Sequence, residues 1–327
     1  MKTQRIGQTS LVGSRLVYGC MGASDGATPQ AVTPQQIEQG KAGIIAAYEA
    51  GITHFDSADM YGRGACDQIL GNCLREVAGM RRNVIVTTKC GVRFAGDPQP
   101  DSPQRFDLSA EHITSSCEGA LKRLALDTID LFLLHRPDAL MDPSEVADAF
   151  NRLSTAGKVR YFGVSNFTPP QMAVLHRHSP LPLAVNQVRI HFAWLNALAD
   201  GTLDQCMELG ITPEAYSPVG KGIFASGGNL PDDHPKYDAT RTLLEVIDET
   251  AARYGATRTA ITLAWLLRHP SGILPIIGTS VPDRIRDSVT ADAIELSRPD
   301  WYRIGAAAAP AQMGDLPRLF DKTPLGL

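Results

Sequence analysis

Short runs that are apolar at nearly every position alternate along the chain with longer stretches whose apolar positions recur every three or four residues. The runs cover residues 15–19, 53–56, 84–89, 129–135, 161–165, 183–187, 211–216 and 272–278. A run without polar alternation suits a strand buried on both faces, as in a parallel sheet covered by helices. The intervening stretches carry helix punctuation. Thr33-Pro34 opens one that runs to about Ala50 and stops at Gly51; Ser109 with Glu111-His112 opens another; Asp142-Pro143-Ser144-Glu145 opens a third that ends at Gly157. A Gly/Pro-rich loop over 220–235 precedes two further helices, about 240–254 and 257–269. The ends of successive runs lie mostly 22 to 33 residues apart, with two longer steps of 46 and 62, and one strand–helix crossover needs about 30 residues. Eight such units predict an α/β protein, a closed (β/α)8 TIM barrel, as a single domain over 1–327. Residues 2–14 are expected to form an N-terminal β-hairpin over the barrel bottom, and residues from about 297 to 327 a C-terminal tail packed over one end of the barrel.

In a barrel of this kind chemistry sits at the C-terminal ends of the strands. Those ends read Asp56, Lys89, His135, Ser165-Asn166, Gln187 and Tyr216. Taken singly, each fits a capping or packing role; six consecutive strand ends carrying polar groups point to a site. Lys89 closes a buried strand and needs a counter-ion, which Asp56 can supply. Tyr61, five residues beyond Asp56 and next to Gly62, faces the same lip. A nearby ammonium favours phenolate and is expected to bring the tyrosine down from its usual ~10, making Tyr61 a general acid for a carbonyl oxygen that gains negative charge. His135 can donate a second hydrogen bond to that oxygen.

Composition narrows the function classes. With 31 Lys plus Arg against 35 Asp plus Glu, the net charge of -4 argues against nucleic acid or an anionic membrane as the main partner. The six cysteines include no CxxC pair and read as buried free thiols in a reducing, cytoplasmic setting. No apolar stretch is long enough to span a bilayer, and Met1 to Arg5 lead into no signal-peptide core. No metal site is expected: His176 and His178 lie one residue apart on a helix and point to different faces. No GxSxG elbow is present. The stretch Gly220-Lys221-Gly222-Ile223-Phe224-Ala225 matches GxGxxA, but it runs into Ser226-Gly227-Gly228-Asn229, where a Rossmann fold needs a helix. It reads instead as a backbone cradle for a pyrophosphate.

From Tyr18-Gly19 to about Ala293 these residues resemble the aldo-keto reductase family, with a bacterial branch of broadly specific or uncharacterised oxidoreductases as the nearest likeness. The motifs that carry the resemblance are Gly51 to Ala58 with Tyr61-Gly62, Thr88-Lys89, Leu134 to Asp138, Gly163 to Asn166, Asn186-Gln187, Ala215 to Pro218 and Pro275 to Thr279. The resemblance implies reduction of an aldehyde or ketone by hydride from NADPH, with NADH possible, and a catalytic tetrad of Asp56, Tyr61, Lys89 and His135. It implies that Ser165, Asn166 and Gln187 hold the nicotinamide carboxamide and that Tyr216 stacks on the ring. Ser217, Val219, Gly220 and Gly222 would follow the pyrophosphate, and Arg284 would meet the 2′-phosphate. Two positions depart from the family pattern: Gly278-Thr279 stand where a lysine-serine pair is well known, and Ser288 where an asparagine often meets adenine. Losing the lysine removes one charge-assisted contact. The same resemblance leaves two alternatives: a cofactor-sensing regulatory subunit with little turnover, or a sugar or polyol dehydrogenase running oxidatively. For the substrate pocket the chain offers Met21, the 91–107 loop, Phe192 and Trp194, and Trp301 or Tyr302, an aromatic set that suits an apolar carbonyl better than a free sugar.

Overall fold

The capping signals start helices where the sequence puts them. The computed structural model describes residues 1–24 and 32–312. A hairpin of β1 (Thr3–Arg5) and β2 (Val12–Ser14) opens the chain, followed by strands β3 (Val17–Gly19), β4 (His54–Asp56) and β5 (Ile85–Cys90). A small ribbon, β6 (Val92–Arg93) with β7 (Arg105–Phe106), leaves the barrel after β5. Strands β8 (Ile129–Leu134), β9 (Val159–Ser165), β10 (Leu183–Arg189), β11 (Thr212–Tyr216) and β12 (Leu274–Ile277) complete the series. Strands β3, β4, β5, β8, β9, β10, β11 and β12 are all parallel, and β12 pairs back onto β3, so the barrel closes as expected. The helices are α1 (Pro34–Glu49), α2 (Ala65–Glu76), α3 (Met80–Asn83), α4 (Ala110–Leu124), α5 (Pro143–Thr155), α6 (Pro169–His178), α7 (Thr202–Leu209), α8 (Tyr237–Tyr254), α9 (Arg258–Leu267), α10 (Pro282–Val289) and α11 (Arg298–Ala308). Thr33 and Gln36 form a capping box ahead of α1, Ser109 caps α4, and Asp142 accepts from two amides of α5.

Two apolar layers hold the barrel together. Outward residues such as Phe55, Val86, Phe132 and Phe162 pack under the helices, and all six cysteines are buried and free. Inward residues Val17, Ile85, Leu131, Leu133, Val185 and Leu274 form a separate cluster that Ile6 and Leu11 of the hairpin loop join from below. The hairpin therefore plugs the N-terminal mouth with side chains of its own. Gly7, at φ +52, lies so close to Ala184 that an added Cβ would sit 2.6 Å from its carbonyl oxygen, which explains a glycine in that turn.

The first part of the C-terminal segment lies on the outer helices: α11 runs antiparallel along α8, with Asp300 against Arg253 and Tyr254, Arg303 against Glu249, and the Pro310 carbonyl against Lys236, before Gln312 reaches the loop after β10 at Phe192 and Leu195. Its apolar residues Ile304 and Ala308 are fully buried there. The part of the expected tail beyond Gln312 lies outside the described residues. Among the described residues no helix is long and apolar enough to cross a membrane.

Candidate active site

Side chains alternate in direction along a strand, so the last inward residues face the C-terminal mouth. Lys89, at the end of β5, is fully buried. Its ammonium donates to Asp56 Oδ2 at 2.7 Å, to the Ser57 carbonyl at 2.8 Å and to the Tyr61 hydroxyl at 3.3 Å. These three bonds use all three of its hydrogens. Tyr61 accepts from the ammonium, so its own O–H is left for the cleft. The phenol is held there by a tight turn after β4 in which Gly62 and Arg63 take φ values of 55° and 53°. The His135 ring meets Tyr61 edge-on, with centroids 5.6 Å apart.

Burial opposes the charge on Lys89, but Asp56 and Tyr61 outweigh it and hold the ammonium protonated. Burial raises the Tyr61 phenol, and the ammonium offsets this only in part. The expected fall of the tyrosine toward working pH is thus not met: desolvation wins over the neighbouring cation, and Tyr61 stands as a neutral phenol with a proton to give. Burial, Lys89 and Arg136 together hold His135 well below its usual value, so the ring is a neutral imidazole with one N–H.

A second polar group adjoins the first. Ser165 donates to the Gln187 carbonyl at 2.9 Å and accepts from Asn166 Nδ2 at 2.8 Å. Asn166, in the left-handed region at φ 63°, accepts from the Tyr216 hydroxyl at 2.9 Å. Gln187 Nε2 donates to Asp56 Oδ1 at 3.1 Å and so ties the two groups together.

Both groups open onto a cleft of about 990 Å³. Its wall brings together Asp56, Tyr61, His135, Ser165, Asn166, Gln187 and Tyr216 with the more distant Ser217, Val219, Gly222, Gly278, Thr279, Arg284 and Ser288. Lys89 and Gly220 are buried behind the wall. The Ser288 hydroxyl is committed to the Arg284 carbonyl at 2.7 Å. Arg284 is exposed and has no carboxylate partner among the described residues. A Cβ on Gly222 or Gly278 would meet nothing within 4 Å, so backbone is bare to the cleft at both.

The aromatic residues expected around a substrate mostly lie elsewhere. Met21 borders the cleft, as do Val92, Gln104 and Phe106 of the 91–107 loop. Phe192 is only 2% exposed and packs on Phe224 and Trp265 instead. Trp194 lies under the Arg189 guanidinium, 5.0 Å from its ring centroid, and is not on the wall. Trp301 stacks on Trp265 at 4.6 Å with planes 1° apart, and each indole N–H donates to the other residue's carbonyl. An indole that finds both a ring and a carbonyl in a helix interface is better satisfied there than in a wet cleft. Tyr302 sits against Trp301. Met60 and Arg136 line the wall without having been singled out in the sequence, and two buried groups beneath it, His54 and Glu214, were passed over as well. Their signal was a titratable residue inside an apolar run rather than at its end. No group of His, Cys, Asp and Glu suited to a metal ion occurs among the described residues.

A family model described as "Aldo/keto reductase family" matches residues 15–309. The chain is 39% identical over 258 residues to "Uncharacterized oxidoreductase YcsN" of Bacillus subtilis, covering 79% of this chain and 84% of that protein. It is 36% identical over 271 residues to a "6-dehydroglucose reductase" of Novosphingobium aromaticivorans, covering 81% of this chain and 84% of that one. Among solved structures, a thermostable aldo-keto reductase, Tm1743, crystallised with the inhibitor epalrestat, superposes with a TM-score of 0.78 at 26% identity, covering 94% of this chain and all of that one. The glycerol dehydrogenase AKR11B4 of Gluconobacter oxydans shares the fold, with a TM-score of 0.83 at 23% identity over 98% of each chain.

Proposed function

This chain belongs to the aldo/keto reductase family and is an oxidoreductase, and from that premise we propose that it reduces an aldehyde or ketone to the alcohol with NADPH, Tyr61 acting as the general acid. The observation that carries the reading is the bond from Lys89 to the Tyr61 hydroxyl at 3.3 Å, with Lys89 itself anchored on Asp56 at 2.7 Å. An oxygen that accepts from a fixed cation can release its own proton at less cost, because the phenolate left behind already has its counter-charge.

The cleft wall suits a nicotinamide dinucleotide. Bare backbone at Gly222 and Gly278 admits a phosphate closely, the exposed Arg284 offers a charge-assisted contact to a terminal phosphate, and Ser165, Asn166 and Gln187 offer amide and hydroxyl groups beside Tyr61. When bound, the reduced nicotinamide supplies the hydride. Tyr61 gives its proton to the substrate oxygen, Lys89 steadies the resulting phenolate, and Asp56 keeps Lys89 charged and in place. The neutral His135 lends its N–H to the same oxygen, orienting the carbonyl before transfer. Arg284 favours NADPH over NADH. The apolar part of the wall, with Met21, Met60, Val92 and Phe106, excludes water around the reacting carbon.

The test follows NADPH absorbance with a panel of aldehydes and ketones, wild type beside Tyr61→Phe. Turnover that falls by about a thousandfold in the variant, with NADPH binding retained, is the expected result. Activity that survives the substitution removes Tyr61 from the acid's role. Tight NADPH binding without turnover on any carbonyl would instead favour a cofactor sensor.

A further inference from the structure

Beneath the tetrad lies a titratable group for which the reaction above has no use. Glu214, on β11, is fully buried. The Gln187 amide bridges it to the active site: Nε2 gives one hydrogen to Asp56 Oδ1 at 3.1 Å and the other to Glu214 Oε2 at 3.0 Å. One hydrogen-bonded chain therefore runs from Glu214 through Gln187, Asp56 and Lys89 to the Tyr61 hydroxyl. The other Glu214 oxygen, Oε1, has no hydrogen-bond partner among the described residues and lies 3.7 Å from His54 Nε2. His54 is also fully buried; its Nε2 shares a hydrogen with Thr87 Oγ1 at 2.8 Å, and burial pushes its pKa down to about 4, so it brings no charge. Asp130, which His54 also feels, is neutralised by Arg81 and Arg160 at 3.0 and 2.9 Å. The neighbouring inward residues, Val17, Leu133, Val185, Leu274 and Ile276, are apolar.

The charge count in this closed interior is decisive. Two carboxylates share one amide, and among the described residues Lys89 is the single cation bonded to either of them. It touches Asp56. A second unmatched carboxylate in an apolar barrel carries a large desolvation penalty, so the proton of the pair resides on Glu214. We propose that Glu214 is a positioning residue of the active site: as a neutral acid it fixes the Gln187 amide and leaves Asp56 alone as the counter-ion of Lys89, and on ionising it draws on that cation and slows turnover. The proposal rests on the reading of Tyr61 as the acid. With both hydrogens of Gln187 Nε2 spoken for by acceptors, the amide cannot flip, and its oxygen is the atom left to serve the cleft.

Burial, and after it Asp56, pushes the Glu214 carboxyl up to about 8, so the switch falls within a range where rates can be measured. Ionised Glu214 adds negative potential behind Asp56 and makes the Tyr61 phenol a weaker acid, so reduction declines as pH rises through that value.

The experiment compares wild type with Glu214→Gln, which keeps an acceptor for Gln187 and removes the charge. The ratio of the reduction rate at about pH 9 to that at about pH 6 should be roughly fivefold or more higher in Glu214→Gln. Thermal unfolding of the cofactor-free protein gives a readout independent of activity. A carboxyl raised in the folded state stabilises fully below its unfolded pKa, and that stability is lost as pH rises toward 8. The wild-type melting temperature should therefore fall more steeply from about pH 5 to about pH 8.5 than that of Glu214→Gln. If Glu214→Gln does not fold, Glu214→Leu serves: it should show the same flattened pH dependence of melting, with a raised KM for the cofactor because Gln187 loses an anchor. Superimposable melting profiles would show that Glu214 holds no proton and overturn the proposal. Melting profiles that differ beside superimposable rate profiles would make Glu214 a buried acid without a positioning role, and overturn it too. Absence of carbonyl turnover in wild type would count against the proposed function, while the melting comparison would still decide where the proton lies.

Discussion

The two ends of the barrel interior are built from the same strands and do opposite work. Near the hairpin, inward positions are Val17, Ile85, Leu131 and Leu274, sealed from below by Ile6 and Leu11. Toward the other end stand Asp56, Lys89, Gln187 and Glu214: Lys89 lies two inward steps beyond Ile85 on β5 and Gln187 one beyond Val185 on β10, with most of these polar atoms committed to one another. The lower end gains stability by excluding water from apolar surface; the upper end holds charges out of water and depends on pairing to tolerate them. The barrel separates an apolar end from a polar one along its axis, and the changeover takes four residues on β5, from Ile85 to Lys89, and two on β10, from Val185 to Gln187.

The strongest way to break that division is to remove the cation at the top. Lys89→Met should lower turnover by about a thousandfold, and it should also destabilise the fold by about 3–5 kcal/mol because Asp56 is left buried and unpaired. Rates with NADPH and denaturant melts on the same sample would check both; a loss of rate with unchanged stability would mean that Asp56 finds another partner. At the bottom, Leu131→Ala should cost about 2–4 kcal/mol in stability by opening a cavity, while the folded fraction keeps its turnover within a small factor. A large fall in kcat there would show that the two ends are mechanically coupled. The smallest effect sharpens the outer edge of the cleft. Arg284→Ala should raise KM for NADPH by about tenfold, leave kcat nearly unchanged and leave NADH use unaffected, if Arg284 meets a phosphate as proposed.

The sequence exposed the architecture more fully than the pocket. All eight barrel strands fall on its apolar runs, because strands buried on both faces leave no polar alternation to blur them. The polar strand ends likewise mark residues that the structure gathers around one cleft. Aromatic side chains were less legible. A tryptophan in a late segment has the same composition whether it faces substrate or a helix, and Trp301 finds its partner in Trp265, 36 positions earlier in the chain. Glu214 escaped notice for a different reason: attention to the last residue of each run overlooks an acid two places before it, although an acid within a run of buried residues is itself a sign of hidden pairing.

The plugged lower mouth also has a kinetic side. With Ile6 and Leu11 closing one end, the chain from Glu214 to Tyr61 meets bulk water through the cleft, onto which Asp56, Gln187 and Tyr61 open. Ligands that cover that opening would slow the passage of hydronium and hydroxide to the interior. The protonation state of Glu214 at the moment of closure would then persist while Tyr61 gives up its proton, so each turnover would carry the pH at which it began.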